Sequence, residues 1–312
     1  MTKVETGNPF FEPESLLMKW SGKLGLAKLR WSLRRLHVPV PKDALVLEVG
    51  SGGNPYLRAN VLLDAYEETR ERHWDALVHD RPTVLSFGEN LPFKDKVFDF
   101  VIAAHVLEHS PDPEKFLAEL ERVAHAGYIE TPDAFMERIN PYTDHRLEIT
   151  SRSGRLLIRK KTNWVYDEDL VELYEQNNLR GKPGVAGSAK AVFTSQTMRE
   201  NPEVFHTRYF WKDNINFTVV NPEVDATWPP PGSDTNTFTP QPDAKVKLRL
   251  LILSLIRRLF SQGDRNAKLD ILPLMRCPKC HSEQLERKTG EQIVCGGCNS
   301  HFQYNQNIFY LH

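Results

Sequence analysis

The run Leu45-Val46-Leu47-Glu48-Val49, followed by Gly50-Ser51-Gly52-Gly53, restricts the fold of this chain more than any other stretch. An apolar run broken only by Glu48 reads as a strand buried on both faces, the kind found in parallel sheets covered by helices. The glycines remove side chains that would keep a ligand off the backbone, and they permit positive φ at the strand exit. Val61-Leu62-Leu63-Asp64 reads as a second buried strand ending in a carboxylate. Together these make the layout of a nucleotide-type site at the carboxyl edge of a parallel sheet. Taken alone, the loop is also compatible with a tight strand exit that binds nothing. The dinucleotide fingerprint fails, because it needs glycine at position 55 and Pro55 stands there.

The α/β rhythm continues downstream. Residues 83–87 and 98–104 read as the third and fourth strands. Asp112-Pro113 opens a helix with an N-cap acid and a proline in the first turn, and Phe116, Leu117, Leu120 and Val123 give it one apolar face. Residues 127–132 form a fifth strand stopped by Pro132. Strands alternating with helices predict an α/β fold with a doubly wound, mostly parallel sheet. Beyond Pro132 the pattern turns antiparallel. One hairpin joins 147–150 to 155–159, a short helix covers 167–177, and a second hairpin runs from Phe205 to Val220.

The motifs resemble class I S-adenosylmethionine-dependent methyltransferases. Glu48-Val49-Gly50-Ser51-Gly52 resembles the family's first motif, although Asn54-Pro55 follows Gly53 where a further glycine is usual. Gly88-Glu89-Asn90-Leu91-Pro92-Phe93 with Phe98-Asp99-Phe100-Val101 resembles its D-A-E-x-L-P-F…F-D-x-V block, with Phe87 at a position often held by aspartate. His105-Val106-Leu107-Glu108-His109 resembles the segment after strand four that lines cofactor and acceptor. The resemblance implies a seven-stranded Rossmann-like sheet closed by an antiparallel hairpin. It also implies S-adenosylmethionine as donor, held by Glu48, Gly50, Ser51, Gly52, Gly53, Asp64, Glu89, Asn90, Leu91 and His105. Loop amides would face the methionine moiety, whose carboxylate gains from a following helix N-terminus. Asp64 would accept from the ribose hydroxyls. The Asn-Pro-Pro-Tyr motif of amide and amine methyltransferases is absent after strand four, and the leading reading of the acceptor is a hydroxyl of a sugar, lipid-linked or other small metabolite. His105, Glu108, His109 and also His145 are the candidate bases.

All four cysteines lie near the end of the chain, as Cys277-Pro278-Lys279-Cys280 and Cys295-Gly296-Gly297-Cys298. Two C-x-x-C knuckles bring four thiolates together in the closed S₄ arrangement of structural zinc, which leaves no open position for a catalytic water. A redox dithiol would not explain the second pair. In so small a unit the metal supplies folding energy on the order of 10 kcal/mol. With Ile271 to Met275 before the knuckles and Asn307 to Leu311 after them, this end resembles the zinc-ribbon activators of tRNA, rRNA and protein methyltransferases. That resemblance implies a structural or activating module in cis.

The expected organisation is basic amphipathic helices over 1–40, a methyltransferase domain over 41–221 with an insertion at about 135–203, a proline-rich linker over 222–243, an amphipathic helix over 244–262 and a zinc ribbon over 270–312. At 312 residues and a formal charge of -1, the chain carries no basic field that argues for nucleic acid. No run approaches the roughly 18 apolar residues of a membrane span. The polar first residues contain no apolar signal core. The chain thus reads as cytoplasmic, with peripheral membrane contact through its basic helices as an option. The partners expected are a small-molecule or glycan acceptor and, as a further option, a second copy of the chain. An RNA or protein methyltransferase and a non-catalytic scaffold with a vestigial donor site are the competing functions.

Overall fold

The computed structural model describes residues 14–69, 76–139, 141–165, 167, 169, 201–229, 255, 260–288, 290–305 and 307–311. Five short strands make the parallel core: β1 (Val46–Val49), β2 (Val61–Asp64), β3 (Thr83–Leu85), β4 (Phe100–Ala104) and β5 (Ala126–Pro132). Every residue of the first four is buried, as unbroken apolar runs require when both faces are covered. Their order is β3-β2-β1-β4-β5. The winding therefore reverses between β1 and β4, which opens a crevice beyond the carboxyl ends of those two strands.

Helix α1 (Leu16–Lys23) begins at Ser15, whose side chain accepts from Met18 N. Helix α2 (Ala27–Leu33) follows after Gly25, where φ is +70°. Only Met18 and Ser21 of α1 are buried, and no residue of α2 is. Helix α3 (Pro113–Val123) starts at Asp112, which accepts from Lys115 N at 3.0 Å, and buries Phe116, Leu117, Leu120 and Val123. A short helix α4 (Ala134–Ile139) leaves β5.

The connection from β1 to β2, residues 50–60, contains turns and no helix. The expected helix N-terminus beside the glycine loop is therefore not there. The doubly wound description holds for the strand order more fully than for the helical layers.

The antiparallel region also departs from expectation. The hairpin of β6 (Leu147–Arg152) and β7 (Arg155–Lys160) turns at Ser153-Gly154, both with positive φ as a tight two-residue turn demands. After a short helix α5 (Pro202–Phe205), β8 (His206–Lys212) pairs antiparallel with β5 along its whole length. However, β9 (Phe217–Val219) does not return beside β8 as the expected second hairpin; it pairs parallel with β7 in a separate sheet ordered β6-β7-β9. The aromatic positions of β8 explain the separation. Tyr209 and Trp211 are fully buried against the parallel core, and the Tyr209 hydroxyl takes Asn216 N at 3.0 Å, which steers the chain away from β8.

The cysteine-bearing end is not a separate appendage. After helix α6 (Gly263–Asn266), strands β10 (Leu285–Lys288), β11 (Gln292–Cys295), β12 (His301–Asn305) and β13 (Ile308–Tyr310) form an antiparallel meander. Strand β13 then pairs parallel with β3, matching Ile308 to Thr83, Phe309 to Val84 and Tyr310 to Leu85. The expected seven-stranded, mostly parallel sheet is thus a mixed ten-stranded one, parallel from β13 to β5 and antiparallel at both flanks. Pairing β13 satisfies the edge amides and carbonyls of β3, which would otherwise remain an open template. Ile271, Met275, Ile293, Phe309 and Leu311 share one apolar core with Leu91 and Phe93.

The proline-rich stretch is anchored at its start. Arg146 Nη1 donates to Ala226 O at 2.6 Å, and Trp228 Nε1 donates to Lys161 O at 2.7 Å. Most of the expected helices over 167–177 and 244–262, and most of the 135–203 insertion beyond residue 169, lie outside the described residues. Leu255 and Phe260 are described and exposed. Among the described residues no helix is long and apolar enough to cross a membrane.

Candidate active site

The glycine turn is held tightly by its own surroundings. Gly50 and Gly52 have φ of +73° and +55°. A Cβ on Gly50 would lie 2.5 Å from Val106 Cβ, so this glycine is required by the segment after β4 pressing on the loop. The loop amides point inward. Gly50 N and Ser51 N donate to Leu63 O at 2.8 and 3.1 Å, and Gly52 N donates to Asp64 Oδ2 at 2.9 Å. Asp64 Oδ1 accepts from Tyr66 N at 3.3 Å. Glu48, nearly fully buried, accepts from Tyr56 N at 2.8 Å, and burial pushes its carboxyl up to about 8. The two acids thus brace the loop from β1 and β2. Ser51 Oγ is buried without a hydrogen-bond partner among the described residues, and Gly53 lies half-buried at the rim.

Residues 86–91 form the adjoining wall. Phe87 and Tyr66 are about half exposed and meet edge to face, with centroids 5.8 Å apart. Glu89 Oε1 accepts from Ser110 Oγ. Asn90 Nδ2 donates to Pro278 O at 3.0 Å, beside the first cysteine knuckle. Leu91 is fully buried, with its amide donating to Glu119 Oε2 at 2.7 Å. The side chains of Asn90 and Leu91 therefore tie this wall to the cysteine module and the core.

The segment after β4 concentrates the charge. His105 sits at φ +58°, a left-handed conformation that histidine tolerates better than branched residues and that is found often at functional sites. Its Nε2 lies 3.1 Å from Glu130 Oε1 and its Nδ1 3.5 Å from Glu108 Oε1. Burial alone would lower its pKa, but the neighbouring carboxylates of Glu108 and Glu130 outweigh burial and hold the imidazole up at about 9. His105 is therefore a cation at neutral pH. For Glu108, the flanking histidines overcome the cost of burial and keep the carboxyl below its ordinary range. His109 stands edge to face with His145, with centroids 4.8 Å apart.

Glu130 organises this cluster and was not among the site residues expected from sequence. Arg34 grips it with two bonds, Nε to Oε2 at 2.8 Å and Nη2 to Oε1 at 2.7 Å. The Tyr128 hydroxyl donates to the same carboxylate and receives Arg208 Nε at 2.9 Å. A charge inside the apolar run 126–132 is a visible signal in the sequence; its partner, 96 positions away in the N-terminal helices, is not. Glu137 was also missed. It accepts from His145 Nδ1 at 2.7 Å and from Lys161 Nζ at 2.6 Å.

The four cysteines converge as the spacing required. Cys277 Sγ is 3.7 Å from Cys298 Sγ and Cys280 Sγ is 3.5 Å from Cys295 Sγ, with all four sulfurs within 4.8 Å of one another. Four thiolates about 2.3 Å from a central zinc would stand about 3.8 Å apart, so the donor set fits that ion.

Residues 47–129, from within β1 to within β5, match the family model described as "Methyltransferase domain". The chain is 30% identical over 91 residues to an uncharacterized protein of Methanocaldococcus jannaschii, a match covering 29% of this chain and 43% of that one. It is 28% identical over 116 residues to the ubiquinone/menaquinone biosynthesis C-methyltransferase UbiE of Xylella fastidiosa, covering 35% and 46% respectively. These matches span less than half the length of either curated relative. Among solved structures, the complex between the Haloferax volcanii Trm112 methyltransferase activator and a methyltransferase aligns at 16% identity and TM-score 0.29, over 43% of this chain and 74% of that one. The parallel strands from β1 into β5, the glycine turn and the segment after β4 thus lie within the stretch that matches the methyltransferase-domain model.

Proposed function

We propose that this protein transfers the methyl group of S-adenosylmethionine to a hydroxyl of a sugar, lipid-linked or other small metabolite, with zinc held by Cys277, Cys280, Cys295 and Cys298. The observation that carries this reading is the methyltransferase-domain match over residues 47–129, which coincides with the strands that open the crevice at β1 and β4. The donor, when bound, supplies a methyl group on a sulfonium, a good leaving group.

The residues at the crevice suit such a donor. Gly50 and Gly52 keep the floor free of side chains, and the buried Ser51 Oγ, unpartnered among the described residues, offers a polar contact in the turn. Asp64 ends β2, where ribose hydroxyls would meet its carboxylate. Glu89, Tyr66 and Phe87 form the next wall outward. Holding donor and acceptor in line can lower a barrier by several kcal/mol, and it is the largest contribution this scaffold would make.

A hydroxyl acceptor must also lose its proton. His105, Glu108 and His109 stand together after β4, and His105 is about one-third exposed at the crevice. As a cation it orients an acceptor oxygen by donating to it; it accepts a proton only after losing its own, near pH 9. The acceptor class is further supported by α1 and its C-cap, where Leu16, Leu17, Trp20 and Leu24 remain largely exposed in a segment that also carries Lys19 and Lys23. Such a basic, apolar face suits an anionic lipid surface.

Calorimetry of the full chain with S-adenosylmethionine tests the first step, with one saturable site expected. A folded chain that releases no heat would reject the enzymatic reading. Transfer of tritium from methyl-labelled donor into the glycolipid or small-metabolite fraction of a lysate, and not into RNA or protein, is the expected second result.

A further inference from the structure

A second cluster of groups able to ligate a metal stands after β4, away from the four cysteines. Glu108 and His109 lie in the 3₁₀ turn Leu107–His109, and His145 stands two residues before β6. One ligand atom from each of the three lies within 4.8 Å of the other two. The spacing is fixed by the backbone, since Arg146 N donates to Glu108 O at 2.7 Å and so ties the turn to the residue after His145.

Two features of this cluster bear on what it can hold. The first is Glu108: it is 2% exposed, and neither carboxylate oxygen has a hydrogen-bond partner among the described residues. Among the described residues the nearest cationic group is His105 Nδ1 at 3.5 Å, an ion-pair distance rather than a hydrogen bond. Burying a carboxylate with its lone pairs unmet is costly unless a cation takes them. The second is His145. Its Nδ1 is bonded to Glu137 at 2.7 Å, and Glu137 is in turn held by Lys161 and by Tyr142 N at 3.2 Å. Tyr142 stacks on the His145 ring at 4.7 Å. A carboxylate that fixes one imidazole nitrogen and leaves Nε2 to coordinate is the arrangement that supports metal-ligating histidines.

We infer that Glu108, His109 and His145 bind a divalent first-row transition ion. Two imidazoles and one carboxylate suit zinc, iron(II), cobalt(II) or manganese(II) rather than magnesium or calcium, which prefer all-oxygen ligands. Three protein ligands leave coordination positions open, unlike the closed four-thiolate set. The inference does not depend on the methyl-transfer reading, because the ligands and their supports are complete without a donor.

The test uses the full chain, stripped of loosely held metal by dialysis against a mild chelator and then titrated with cobalt(II) in a calorimeter. One site is expected beyond whatever ion the cysteines retain. Its optical spectrum should show weak d–d bands without the strong thiolate charge-transfer bands of a cysteine site. Glu108→Gln and His145→Asn should each weaken cobalt binding at least tenfold. Because these buried positions can affect folding, Glu137→Gln provides a second probe that leaves all three ligands in place. It should weaken affinity about 10- to 100-fold with the circular dichroism unchanged. A wild-type chain that takes up no cobalt beyond the cysteine site would overturn the inference and leave a buried ionic cluster. Binding that Glu137→Gln and His145→Asn leave unaltered would overturn it as well.

Discussion

The loop after β1 and the segment after β4 face each other across the crevice and solve opposite problems. The loop is closed onto β2, with Gly50, Ser51 and Gly52 amides donating to Leu63 and Asp64. The segment after β4 gathers charges that its own backbone cannot satisfy: His105, Glu108 and, from β5, Glu130. The first sets the shape of the site and the second its electrostatics. They meet where Gly50 lies against Val106, so a change at that contact reaches both.

The largest expected effect comes from breaking the charged side. Arg34→Ala would leave Glu130 buried without its bidentate partner, and loss of one member of such a pair costs about 3–5 kcal/mol. Urea denaturation should show this loss, together with detachment of the N-terminal helices. The contact between the two regions comes next. Gly50→Ala combines a left-handed φ with a Cβ 2.5 Å from Val106, and should cost about 3 kcal/mol and abolish donor binding in calorimetry. If Gly50→Ala binds donor normally, the loop and the segment are not coupled as described.

Two smaller effects separate shape from charge. Glu48→Gln keeps an acceptor for Tyr56 N and removes a carboxyl whose folded pKa is raised to about 8. With the folded pKa above the unfolded one, wild-type stability falls as pH rises from about 4.5 to 8. The variant should therefore match the wild type in acid and exceed it by about 1–3 kcal/mol above pH 8, as read from thermal melts. His105 is raised in the same sense, to about 9. Its contribution to stability is complete below its unfolded value near 6.5 and is lost as pH climbs through about 9. If His105 also accepts the hydroxyl proton, methyl transfer should rise over that same interval, and His105→Gln should flatten the rise. A rate that stays level between pH 7 and 10 would remove His105 as the base.

The parts written in short range were readable from the sequence. Val46–Val49 and Val61–Asp64 are buried strands because their runs are apolar throughout, and α3 starts where Asp112-Pro113 says it must. The cysteine knuckles specify their convergence by spacing alone. The helix expected after the glycine loop failed for a local reason: Glu48 captures Tyr56 N, and Asn54-Pro55 interrupts the segment, so residues 50–60 cross to β2 in turns.

What the sequence determined by itself, then, is the parallel core, the glycine turn with its two acids and the four-sulfur cluster, because each rests on periodicity or spacing within a few residues. The tertiary structure decided that β13 extends the sheet at β3, that β9 leaves β8 for β7, and that Arg34 neutralises Glu130. It also decided that Glu108, His109, His145 and Glu137 form one cluster. Backbone pairing at a sheet edge leaves little side-chain signature. A buried charge, in turn, records only that it needs a partner, and which distant residue supplies it is fixed by packing.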